Sequence, residues 1–123
     1  MKREHRRTAF TDVLEALMCA CPRVDAAVLV DDQAEWVDYA TRVVVDQALV
    51  WAAQPVSAVL AVTHAATLRG KLREVCLSSR HACLTFVELG EGYWLMVRAR
   101  GSTLSRKARH RVPDIRAVLQ ATL

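Results

Sequence analysis

The stretch VELGEGYWLMVRA, residues 87–99, decides how the rest of the chain is read. A Gly-Glu-Gly between two apolar runs is either a phosphate loop or a tight turn. A phosphate loop leads from a strand into a helix N-terminus, because the helix supplies the aligned amides. Gly92 leads instead into Tyr93-Trp94-Leu95-Met96-Val97, strand-forming at every position. Gly90 and Gly92 are therefore expected to supply positive φ in a turn between two strands. The other nucleotide candidate, AATLRGKL at 65–72, has Gly-Lys but lacks the first glycine and the closing Ser or Thr of a P-loop. Neither supports a nucleotide site, so the chain is not read as a GTPase or ATPase.

Outward from that turn the pattern stays strand-like. Residues 82–89 (ACLTFVEL) and 72–79, with Val75 and Leu77, form two more pieces separated by short polar turns. Together with 93–99 they predict an antiparallel three-stranded meander. Downstream, Leu104, Ala108, Val112, Ile115 and Leu119 share a helical face. Pro113 interrupts it, so the last helix is expected to start at Pro113, with 102–112 a less regular approach.

Upstream, Asp46 as N-cap and Gly70 as stop frame a central helical region over 47–69, broken near Gln54-Pro55. It is apolar all round. Val50, Trp51, Val59 and Val62 cannot all face one sheet, so this region is expected to meet a partner. Before it, VDAAVLV at 24–30 reads as a buried strand. Asp31-Asp32 turns it into an alternating strand at 35–41, making a hairpin. Phe10, Val13, Leu14, Leu17, Met18 and Cys21 form one face of a first helix over 8–20, which Pro22 ends.

The chain of 123 residues is 53% hydrophobic and 24% charged, which suits one packed domain at 8–123 behind a basic tail at 1–7. No apolar run is long enough to span a bilayer. MKREHRRTAF lacks the apolar core of a secretion signal, so a cytoplasmic protein is expected. The net charge of +4 is segregated: +3 in residues 1–7, +6 in 98–116 and −5 between them. Arg106, Lys107, Arg109 and Arg111 are the candidate partner-binding residues, set against the plain alternative of a solvated helix face. No aromatic residues interleave with them, which disfavours single-stranded nucleic acid.

Cys19, Cys21, Cys76 and Cys83 show no zinc spacing. Cys21, Cys76 and Cys83 lie in apolar company and are expected to be buried free thiols. His5, His64, His81 and His110 have no catalytic company, and Asp31-Asp32 reads as a turn former rather than a cation site. No catalytic, cofactor or metal set is expected.

Two motifs then reach a family. FTDVLEALMCACPRVDAAVLVDD and VELGEGYWLMVRA, in this element order and at this distance, resemble the Roadblock/LC7 proteins, bacterial and MglB-like, over 8–123. The chain departs from the family's glycine-containing first hairpin turn, having Asp31-Asp32-Gln33-Ala34-Glu35 instead. The resemblance implies an α+β fold in the order α-β-β-α-β-β-β-α. Its antiparallel five-stranded sheet has the first and last helices on one face and the central helix on the other. It also implies a homodimer. The third strand, about 73–80 and including Glu74, Val75, Cys76, Leu77 and Ser78, pairs with its symmetry mate, and the central helices pack together. It implies finally a non-catalytic scaffold or regulator linked to a small Ras-like GTPase in a signalling or polarity module. Two alternatives stay open: a GTPase-activating protein, possessing many arginines but no motif that selects one, and a basic nucleic-acid binder.

Overall fold

A computed structural model of the chain describes residues 8–31, 33, 35–43, 74–90 and 92–123. Within them a first helix, α1 (Thr11–Ala20), precedes the strands β1 (Val24–Val30), β2 (Trp36–Thr41), β3 (Glu74–Ser78), β4 (Ala82–Gly90) and β5 (Tyr93–Arg100). A second described helix, α2 (Arg106–Thr122), closes the chain. The five strands form one antiparallel sheet in the order β2-β1-β5-β4-β3. The β1–β2 hairpin and the β3–β4–β5 meander follow from the sequence pattern. Their union is a tertiary event, in which Ala27 pairs with Val97 and Leu29 with Leu95. Flanked on both edges, β1 is buried at all seven positions, which is why its sequence is a nearly continuous apolar run.

Side-chain alternation sends two sets of residues to opposite faces. On one face Leu14, Leu17 and Met18 of α1 and Leu104, Ala108, Val112 and Leu119 of the α2 region pack with Ala27, Leu29, Val87, Leu95 and Val97. Each fully buried leucine here contributes about 2 kcal/mol of burial. On the other face Ala26, Val28, Val30, Tyr39, Phe86, Trp94 and Met96 form a second buried cluster. The central helical region expected over 47–69 lies outside the described residues, as does the tail at 1–7.

The turns obey local chemistry. Gly90 and Gly92 have φ of 93° and 85° in the β4–β5 connection, so the glycines of the opening motif serve a hairpin. At the first hairpin, where no glycine is available, Asp31 Oδ1 accepts from the backbone N–H groups of Gln33 (2.9 Å) and Glu35 (3.0 Å). A side chain does there what glycine's freedom would otherwise do.

Several boundaries differ from expectation. α1 begins at Thr11 rather than residue 8, because Thr8 is used otherwise. Its backbone N–H donates to Thr11 Oγ1 (2.9 Å) and its hydroxyl donates to Asp38 Oδ2 (2.6 Å). β2 begins at Trp36 rather than 35. Within β2 the expected polar–apolar alternation fails at Asp38, which is fully buried because it ties β2 to α1. The last helix starts at Arg106 and runs through Pro113. Ser105 caps it, accepting from the Ala108 N–H at 3.2 Å, and burial of Ala108 and Val112 before the proline and Leu119 after it holds both halves on the sheet. Proline removes one backbone bond; packing outweighs that loss.

Candidate functional site

β3 is the outermost strand on its side of the sheet. Glu74, Cys76, Leu77 and Ser78 are exposed and Val75 is half-buried. Leu77 is 46% exposed, unusual for a leucine within a strand. The expectation that Cys76 is buried is therefore corrected. An edge strand covers only one side of its residues, so Cys76 is exposed while Cys83 on the interior strand β4 is buried. Of the other thiols Cys21 is buried and Cys19 exposed, and all four are free. Burial pushes the Cys21 thiol pKa up against the opposing fields of Lys107, Arg111 and Arg42. Burial, helped by Cys76, does the same for Cys83.

The five sequence-chosen residues Glu74, Val75, Cys76, Leu77 and Ser78 thus form the described edge strand itself. Val50, Trp51, Val59 and Val62, the other half of the expected dimer surface, lie outside the described residues. Strand alternation sends Val75 and Leu77 to the face of the second cluster and Glu74, Cys76 and Ser78 to the other. Val75 packs toward the second cluster. Leu77 lines a concavity of about 300 Å³ with Ser78, Ser79, Ala82, Leu84 and Arg98. Arg98 on β5 forms an ion pair with Asp25 of β1. The other carboxylate oxygen of Asp25 is buried and has no hydrogen-bond partner among the described residues.

Arg106, Lys107, Arg109 and Arg111 are all exposed on α2, but they do not make one patch. Lys107 and Arg111, one turn apart, lie close enough to α1 for their charges to act on Cys21. Arg109 lies toward the sheet. With Glu74, Val87, Leu104, Val112, Pro113 and Arg116 it lines a groove of about 380 Å³ between α2 and the β3–β4 edge. Arg116, which sequence reasoning did not single out, donates through Nε to the Glu88 carbonyl at 2.8 Å and is thereby fixed on the groove rim. Its signal was present in the sequence as a basic residue seven positions after Arg109, two helical turns along the same face.

Other arginines have structural work. Arg42 donates to the carbonyls of Met18 and Val24, and to that of Pro22 at 3.3 Å, fastening the α1–β1 corner to the end of β2. Among the described residues no group of three or more His, Cys, Asp or Glu is placed to hold a metal ion. No described helix is long and apolar enough to cross a membrane.

No family model matches the sequence, and no curated protein does. Solved structures match over most of the chain. MglB of Myxococcus xanthus superposes with a TM-score of 0.81 at 17% identity, covering 96% of this chain and 97% of that one. A Roadblock/LC7 domain from Streptomyces avermitilis gives 0.74 at 18% identity, covering 89% and 93%. A gliding protein, MglB of Thermus thermophilus, gives 0.78 at 15% identity, covering 98% and 96%. The chain has the Roadblock/LC7 fold in its MglB-like form.

Proposed function

We propose that this chain is a non-catalytic, cytoplasmic homodimeric scaffold or regulator, working with a small Ras-like GTPase or another Roadblock protein in a signalling or polarity module. The observation that carries the reading is β3, an open edge strand with Leu77 46% exposed. Unpaired edges recruit other strands unless they are blocked, and a second copy is the occupant that fits. β3 begins with Glu74 and is followed by Arg80. In an antiparallel pair of two copies, the acidic start of each strand lies toward the basic end of the other. Val50, Trp51, Val59 and Val62 are assigned to the same interface on their apolar pattern and on the family resemblance. The likeness to proteins named MglB, one of them a gliding protein, supports the choice of module. Arg106, Lys107, Arg109 and Arg111 are assigned to an acidic protein partner, with association that weakens as salt rises.

Sedimentation velocity at micromolar concentration tests the dimer. A species of twice 13.7 kDa is expected. Leu77→Glu should weaken it by about tenfold or more, because like charges then meet across the two-fold axis. A single 13.7 kDa species for the unaltered chain would overturn the reading.

A further inference from the structure

The groove between α2 and the sheet edge has the composition of a docking site rather than of a gap in packing. Its floor is apolar, with Val87 (5% exposed), Leu104 (7%) and Val112 (6%) at the bottom. Pro113 stands on the helix wall, where it presents no backbone N–H. Two guanidinium groups, Arg109 and Arg116, stand on the rim, and the bond from Arg116 Nε to the Glu88 carbonyl holds that side chain in place. Glu74 is the one acid among the described lining residues. A volume of about 380 Å³ lies at the small end of ligand pockets, which run from about 300 to 1,000 Å³.

We infer that this groove takes a short acidic–apolar segment of a partner protein, seating a leucine-like side chain on the Val87–Leu104–Val112 floor with carboxylates on Arg109 and Arg116. The inference rests on the reading of the basic helix as a partner-docking surface, and it narrows that surface. Arg109 and Arg116 belong to the site, whereas Lys107 and Arg111 sit on the α1 side of the helix. Guanidinium suits the role, because its planar fork matches a carboxylate and it is weakly hydrated beside an apolar floor. Polyphosphate backbones offer the charge but nothing for the floor. Glu74 opposes the incoming carboxylates and so limits affinity.

The test uses the full chain and a fluorescent synthetic peptide of alternating glutamate and leucine, read by anisotropy at low and moderate salt. Binding is expected, and it should vanish when serine replaces leucine or lysine replaces glutamate. Arg109→Gln and Arg116→Gln should each weaken binding about fivefold, as a rim charge pair would. Arg116→Lys should restore part of the loss, and Glu74→Gln should tighten binding. Lys107→Gln with Arg111→Gln should leave it within about twofold, since those charges act only through the screened field. Circular dichroism of each variant checks the fold. Absence of peptide binding overturns the inference, and so does displacement of the peptide by a short DNA duplex. Equal loss from Lys107→Gln/Arg111→Gln and from Arg109→Gln overturns the groove but leaves the basic helix as a docking surface.

Discussion

Replacing Asp38 with alanine should cost this protein a large share of its stability. Asp38 is fully buried on β2. Its carboxylate accepts from the hydroxyl of Thr8 at 2.6 Å, from the hydroxyl of Thr11 and from its own neighbour, the Tyr39 N–H, at 2.7 Å. It is therefore the link between the start of α1 and the edge strand β2. Alanine leaves Thr11, itself fully buried, without that partner. A buried donor stripped of its acceptor costs about 1–3 kcal/mol, and bonds to a charged group about 1.5–3 kcal/mol each. Thr8 is exposed and can turn to water, so its share is small. Removing a buried carboxylate also returns its desolvation cost. The net is a loss of about 2–4 kcal/mol. For a chain of 123 residues the unfolding entropy is about 2.1 cal/mol/K per residue, so the melting point should fall by roughly 8–15 °C. Urea unfolding at fixed protein concentration measures the change, since any dimer makes stability depend on concentration. A double-mutant cycle with Thr11→Val should show coupling of about 1 kcal/mol or more. Thr8→Ala alone should cost under about 1 kcal/mol. If Asp38→Ala costs less than Thr8→Ala, or if the cycle shows no coupling, the link is not what holds α1 on β2.

The thiols provide two further checks. Native protein treated with a thiol-specific reagent near neutral pH should be modified at Cys19, with Cys21 and Cys83 reacting only on unfolding and Cys76 reacting faster as dilution separates the two copies; mass spectrometry of the peptides identifies them. Because burial raises the pKa of Cys21 and Cys83 above the ordinary 9.0, the native state holds those protons longer than the unfolded state. Stability from this source is complete below about pH 9 and is lost as pH rises through the folded values. A melting point that rises between about pH 9 and 10.5 would contradict it. Gly90→Ala meets no atom within 4 Å, so its cost is that of φ at +93° alone: about 1 kcal/mol by urea unfolding, with peptide binding unchanged.

Elements with local causes are legible in the residues alone. The α1 face from Phe10 to Cys21, the β1–β2 hairpin, the meander and the Gly90–Gly92 turn are all readable, because periodicity and turn chemistry act over a few residues. The Val75–Leu77 pattern also marks β3, and charge marks α2. Features that depend on neighbours distant in the chain are settled only by the packed fold. Asp38 breaks the alternation of β2 because Thr8 and Thr11 meet it there. Cys76 is exposed and Cys83 buried because one lies on an edge strand and the other on an interior one. Pro113 sits inside a helix because sheet packing on both sides of it outweighs one missing hydrogen bond. The five lysine and arginine residues of α2 look equivalent along the chain, but a helix turns about 100° per residue. Only the placement of α2 against β4 sends Arg109 and Arg116 to the groove and Lys107 and Arg111 toward α1.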